Sequence, residues 1–250
     1  MVYKVSSILA LAACFALTVN GQKQIQGITS GYLSKTFDAS FNLPHGALGQ
    51  VPVSNLNSPL FTCRTNGFTF PDVKSYNASP GEMLLVKWDN SSPVLASSGS
   101  ANITGPCNFY MASTAAGTDK LSWFRIAEQG YETERGWCTD IIKTTGSLVV
   151  SIPDNLKGGD YLFRTEVIDL AYADKTATQD PSRGAQFYAD CLKFNIPGNT
   201  NGIIPSTNLV SFPGAYKETD PSLVLTLGAD GKPTGGKYTV PGPALYSQKP

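Results

Sequence analysis

The stretches DYLFRTEVIDL (160–170) and AQFYADCLKFNI (185–196) constrain the fold more than any other part of the chain. Apolar and polar residues alternate through them with the two-residue period of a strand that buries one face. Shorter runs read alike: EMLLVKWD (82–89), CNFYMAS (107–113), LSWFRI (121–126) and SLVVSIP (147–153). Glycine, proline, asparagine or serine bounds each run, and no amphipathic helical stretch of comparable strength competes. Short strands with turn signals roughly every dozen residues predict an all-β fold, an antiparallel β-sandwich joined by long loops. Those loops are rich in Ser, Gly and Pro, which places function on them or on the face they frame.

The first 21 residues, MVYKVSSILALAACFALTVNG, set Lys4 before an apolar run that ends at Val19, followed by small or polar residues. This is the pattern of a secretory signal peptide, too short and wrongly flanked for a membrane span. Cleavage is expected near Gly21/Gln22, which leaves 22–250 as a single domain without an internal repeat, linker or low-complexity tail. The product is expected to be secreted, extracellular or associated with a cell wall, and monomeric. Without Lys4 the 19 acidic side chains outnumber the basic ones by one, and no run of like charge occurs. Such a surface excludes nucleic acid and anionic membrane as partners. Loss of Cys14 with the leader turns five cysteines into four, an even number that reads as two disulfides in a secreted chain. Sequons at Asn77, Asn90 and Asn102 suit a glycoprotein, with Pro80 disfavouring use of the first.

Familiar catalytic constellations are missing. Glu166, Asp169, Asp174 and Asp180 could in principle supply a glycosidase pair, but no spacing distinguishes them from solvated or ion-paired acids. The only histidine of the chain is His45, in the loop FNLPHGALG, and no GxSxG occurs, so nucleophilic triads have no foundation. Mononuclear copper or zinc sites commonly use two or three imidazoles. No metal site is expected, and His45 reads as a loop residue because no other ligand type stands beside it at ligand spacing.

Several segments in order carry a family resemblance: GDYLFRTEVIDL, GAQFYADC, VSFPGAYKETDPSLVL and YTVPGPALY, with QKQIQGITSGY, PGEMLLVKW, GPCNFYMA, LSWFRI and SIPDNLKGGDYLFR before them. Together they resemble the fungal lytic polysaccharide monooxygenases of auxiliary activity family 9, the cellulose-active type, over essentially all of 22–250. The resemblance implies an immunoglobulin or fibronectin-III-like sandwich with a flat face that lies against polysaccharide. It also implies a disulfide between Cys63 and Cys191, from an early loop to the Gln-x-Tyr strand. The other pair expected, Cys107 with Cys138, departs from the family pattern.

Active members of that family hold copper in a histidine brace. The amino group and ring of an N-terminal histidine join one internal histidine, with a tyrosine near the axial position. Matched position by position, the resemblance puts Gln22 at the mature terminus, Thr165 at the internal histidine and Tyr188 at the axial tyrosine. Ala171 falls where a further histidine often stands, and Gln186 matches a glutamine that helps position oxygen. A threonine hydroxyl is a weak copper ligand, and an N-terminal glutamine can cyclise onto its own amine. One histidine cannot form a brace that needs two, so no cofactor is expected here although copper is the family's.

The expected function is therefore binding of insoluble polysaccharide, such as cellulose or a related cell-wall glucan, without oxidative cleavage. Tyr216, in PGAYKETD, matches a family position on the flat face, and Tyr32 is a second candidate for stacking on sugar. Two alternatives stand beside this expectation. One is an active oxidative enzyme with atypical metal ligation through Tyr188, Asp169 or His45; the other is a protein that interacts at a cell surface or with a host.

Overall fold

The computed structural model describes residues 51–64, 74–88 and 103–246, together with the backbone of strand β1 (Ile25–Ser30). The expected leader 1–21, Gln22, Tyr32, His45, Asn90 and Asn102 lie outside the described residues.

Two sheets form the sandwich. One has three strands in the order β1-β3-β8, with β3 at Met83–Trp88 and β8 at Ser147–Ser151. The other has five, in the order β2-β10-β9-β4-β5: Ser75–Asn77, Gln186–Ile196, Gly159–Asp169, Cys107–Ser113 and Phe124–Gln129. All six alternating runs became strands. The antiparallel expectation holds in both sheets except at one edge, where β2 runs parallel to β10. A two-stranded ribbon, β6 (Tyr131–Glu132) and β7 (Gly136–Trp137), leads into helix α1 (Cys138–Thr145).

The register of β9 shows why its sequence had to be so apolar. It lies between β10 and β4, and every residue from Tyr161 to Asp169 is buried. Its odd-numbered side chains, Tyr161, Phe163 and Val167, enter the core between the sheets with Leu84, Val86 and Val150 of the facing sheet. There Phe163 stacks on Phe194 at 5.0 Å between ring centroids. Its even-numbered side chains, Leu162 and Ile168, join a second cluster with Phe61, Phe187 and Phe212. The long loops that carry such residues cover the outer face of the sheet, so β9 is buried on both sides. Burying one such side chain stabilises by about 1.5–3 kcal/mol, and both clusters are built from many of them.

Both disulfides form as paired in the sequence reading: Cys63–Cys191, with Cα atoms 5.4 Å apart, and Cys107–Cys138, at 5.8 Å. The first ties an early loop to the middle of β10. The second ties the start of β4 to the first residue of α1.

Helix α1 has no counterpart in the sequence reading, because its eight residues are too few to show a helical period. Local chemistry closes it at both ends. The Asp140 carboxylate accepts the Trp137 backbone N–H at 2.9 Å, and Gly146, at φ 70°, donates its N–H to the Ile142 carbonyl at 2.7 Å.

Candidate functional site

Strand β9 ends at Asp169, directly opposite Gln186 at the start of β10. Cross-strand partners in an antiparallel pair share a face, so Gln186/Asp169, Tyr188/Val167 and Asp190/Thr165 form three successive rows on the inward face of the sheet. These rows are buried except at Gln186; Asp169 opposite it is 2% exposed. Gln186 is half-buried, Tyr188 is 4% exposed and Thr165 is 2% exposed.

Only Gln186, at one end, is partly open, and Thr165 lies two rows further in. It lies opposite Asp190 on β10 and Phe109 on β4, in the sheet interior.

The segment that enters β4 is fastened to this end. Any Cβ on Gly105 would stand 2.1 Å from the Ile168 carbonyl oxygen, so only glycine allows the approach. The Leu170 N–H then reaches the Thr104 carbonyl at 2.8 Å, and the Ile168 N–H reaches Pro106 at 3.0 Å. Asp169 Oδ1 accepts the N–H of Thr104 and of Ala171, both at 3.0 Å. Burial pushes the Asp169 carboxyl up; those two N–H groups and the Lys143 charge oppose the rise. Lys143 donates to the Ile103 carbonyl at 2.9 Å, and burial holds its ammonium below the usual lysine range.

Tyr188 stands one row below. Burial first, then the Asp169 charge, push its phenol up to about 12, against the pull of Arg64. Arg64 is fully buried, paired with Asp190 at 2.9 Å, and donates through Nε to the Ala189 carbonyl at 3.0 Å.

Tyr216 is not on a face open to sugar. It is 6% exposed, and its hydroxyl donates to Glu166 Oε1 at 2.6 Å and shares a 2.7 Å hydrogen bond with the Tyr110 hydroxyl. Asn108 Nδ2 adds contacts to Tyr216 at 3.2 Å and to Glu166 at 3.3 Å. The expectation that Tyr216 stacks on polysaccharide is corrected, because its ring is packed edge-on against Phe61 and Phe212 beneath the loops.

The residue that sequence reasoning missed is Tyr172. At 43% exposure it is the one exposed aromatic side chain among the described residues. It follows the exposed Ala171 immediately after β9, so it stands beside the Gln186 row. The Arg183 guanidinium lies 5.3 Å from its ring centroid and is ion-paired with Asp174. Gly184, at φ 102°, turns the chain back into β10 and donates its N–H to the Tyr172 carbonyl at 2.8 Å. The ring is therefore held on a fixed loop. The loop sequence AYADKTATQD has no apolar pattern, and only the arginine nine to eleven residues on from these acids and rings hinted at a partner.

Two further predicted residues can be placed. Asn77 is exposed on β2, at the sheet edge, where its side chain is reachable. Ala171 brings no donor side chain to the site. The polar groups of these rows are thus a half-buried amide, a buried phenol held protonated at neutral pH, and a buried carboxylate already bonded to backbone N–H groups. The chain's single histidine is not among the described residues.

The profile of Auxiliary Activity family 9 (formerly GH61) matches residues 13–238. AA9 family lytic polysaccharide monooxygenase A of Schizophyllum commune is 33% identical over 205 residues, covering 80% of this chain and 79% of that protein. The protein of the same name from Aspergillus kawachii is 31% identical over 258 residues, covering 96% of this chain and 56% of its own length. The chain therefore spans little more than half of that relative. Among solved structures, CvAA9A superposes with a TM-score of 0.75 at 24% identity, covering 89% of this chain and 97% of its own. Cel61B of Hypocrea jecorina, a glycoside hydrolase family 61 member, gives 0.70 at 22% identity, covering 89% and 99%. These two likenesses show a shared fold.

Proposed function

The chain belongs to auxiliary activity family 9, and from that premise we propose that it is a secreted protein that binds cellulose or a related wall glucan without copper-dependent cleavage. The observation that carries the binding half is Tyr172, an exposed ring fixed by Arg183 beside the half-buried Gln186 at the open end of the sheet. An aromatic face set against solvent suits a sugar ring, whose axial C–H groups are apolar while its hydroxyls keep their water.

The donor set supports the other half. Copper at neutral pH favours imidazole nitrogen, and a brace requires two such rings where the whole chain has one. Tyr188, pushed up to about 12, would offer a neutral phenol and not a phenolate. Asp169 Oδ1 is committed to Thr104 and Ala171. These residues do not fit the copper of the family, and no oxidative step is derived through it. The two disulfides and the exposed Asn77 sequon support an extracellular setting.

Retention of the secreted protein on insoluble cellulose is the direct test. Tyr172→Ala should lower it about two- to twelvefold, the loss of one stacking contact of about 0.5–1.5 kcal/mol. Equal retention by the variant, or none by the unsubstituted protein on any wall glycan, would remove the binding claim. Copper titration on the same sample should show no tight one-to-one binding; such binding together with release of oxidised oligosaccharides would reverse the catalytic half.

A further inference from the structure

Next to the Tyr172 loop lies a groove of about 620 Å³, between the corner where β7 enters α1 and the loop 225–232. Its size falls in the range of about 300–1,000 Å³ common to ligand sites. Trp137, Leu170, Leu225 and Leu227 line its apolar part.

Both walls are built before any ligand arrives. The Trp137 indole N–H donates to the Gly231 carbonyl at 2.8 Å, and its ring packs on Tyr238 at 4.8 Å. The Leu225 N–H reaches the Ala173 carbonyl at 2.8 Å, and the turn beyond it closes through Gly228 N–H to Lys232 at 2.8 Å. On the other side, Cys138 at the start of α1 is bridged to β4.

The charges around the groove decide what it can take. Three acids line it, Asp140, Asp174 and Asp230. Asp174 is paired with Arg183, Asp230 with Lys232 at 3.0 Å, and Asp140 lies 3.9 Å from Lys143 while capping Trp137. A cation would meet acids already neutralised, and an anion would meet their carboxylates. What remains is an apolar floor rimmed by many hydrogen-bonding groups without a net field, which is the chemistry of an uncharged polyhydroxylated chain.

We propose that this groove binds one strand of a neutral oligosaccharide, separately from the exposed Tyr172 ring that meets the insoluble polymer. The inference rests on the glucan-binding reading and extends it to soluble or branching chains. Arg183 joins the two places, since it lines the groove and also covers Tyr172.

Cellohexaose titrated calorimetrically into the secreted protein tests the groove. Ala229 and Thr226 are exposed residues of its lining, so Ala229→Trp and Thr226→Trp would fill it from the solvent side without disturbing either core. The expected result is binding by the unsubstituted protein and a loss of about tenfold or more in each filled variant, with retention on insoluble cellulose and melting temperature unchanged. Absent binding by the unsubstituted protein, or unaltered affinity in both filled variants, overturns the groove. Tighter binding of a polygalacturonate oligomer than of cellohexaose overturns its neutrality. The two readings fail separately: lost cellulose retention with intact, groove-dependent cellohexaose binding sinks only the Tyr172 face, and the converse sinks only the groove.

Discussion

Strand β9 carries polar side chains to two places that differ in almost every physical respect. On its outer face, Arg164 and Glu166 are fully buried and paired at 2.6 Å. Arg164 Nε donates to the Thr62 carbonyl at 2.6 Å, and its guanidinium lies 3.9 Å from the Phe212 centroid. Glu166 receives Tyr216 and Asn108, and Arg125 extends the network by donating to Asn108 Oδ1 at 3.2 Å and to the Pro241 carbonyl at 3.1 Å. On its inward face Asp169, at the end of the strand, lies with Gln186 and Tyr188 of β10; Asp169 and Tyr188 are buried and only Gln186 is partly open. The first group binds the long C-terminal loops to the sheet. The second reaches solvent only through Gln186. Polarity on a strand therefore does not mark a site by itself; what distinguishes the two is how many protein groups converge on each side chain.

Breaking the buried network should give the largest effect. Glu166→Ala leaves the Arg164 charge without its carboxylate in a place closed to water, a change that costs about 3–5 kcal/mol. For a domain of this size that lowers the melting temperature by roughly 10 °C, followed by circular dichroism. Glu166→Gln should cost less, because an amide oxygen can still accept from Tyr216. An unchanged melting temperature in Glu166→Ala would mean that the loops are held by their apolar contacts alone.

Tyr216→Phe sharpens the comparison by removing one hydroxyl from the network while keeping the ring among Phe61, Phe187 and Phe212. Loss of the donor to Glu166 and of the acceptor for Tyr110 should cost about 1–3 kcal/mol, read as a shift in the urea midpoint. Retention on cellulose, measured well below the transition, should be unaltered. A drop in retention at full folding would return Tyr216 to the binding surface.

Much of this contrast was legible in the sequence, though unevenly. The six alternating runs became strands because a period of two needs only local residues to be seen, and β4 occupies the run Cys107–Ser113 without a shift. Tyr216 was misplaced because its partner Glu166 stands 50 residues away, and nothing in PGAYKETD shows that a buried carboxylate awaits its hydroxyl. The depth of Thr165 was not legible for a related reason: it is fixed by pairing with Asp190 of β10 and Phe109 of β4, far away in sequence. Tyr172 escaped notice because a ring in a polar loop has no periodicity, and its exposure follows from where β9 stops. Helix α1 was invisible since its buried face, Cys138, Ile141 and Ile142, shows the i, i+3, i+4 spacing only once within two turns.

A smaller effect belongs to Asp169, buried opposite Gln186. Burial raises its carboxyl pKa, so between its ordinary value and the raised one the native state holds more proton than the unfolded chain does. The contribution of this group to stability is therefore lost as pH rises from about 4 towards neutrality. The other groups that bear on it are Lys143, whose charge opposes the rise, and Tyr188, whose phenol stays neutral throughout this range. Asp169→Asn keeps an oxygen for the Thr104 and Ala171 N–H groups and deletes the titration. Urea midpoints measured from acid to neutral pH should fall less in the variant than in the unsubstituted protein. An identical slope would show that the carboxylate is as well solvated in the fold as outside it.

The smallest effect should come from Tyr188→Phe, and it tests the comparison most finely. Tyr188 sits between the two extremes, packed into the inter-sheet core with Val167 yet one row from the open Gln186. Its hydroxyl makes no hydrogen bond to another described residue, unlike that of Tyr216. Removing it deletes no partner from a buried network, so stability should stay within about 0.5 kcal/mol. Cellulose retention should also hold, because the ring is 4% exposed and cannot lie flat on a sugar. If retention fell without loss of stability, Tyr188 would have to reach the polymer through motion of the Gln186 end. The binding surface would then extend one row deeper than Tyr172 and Gln186 define it.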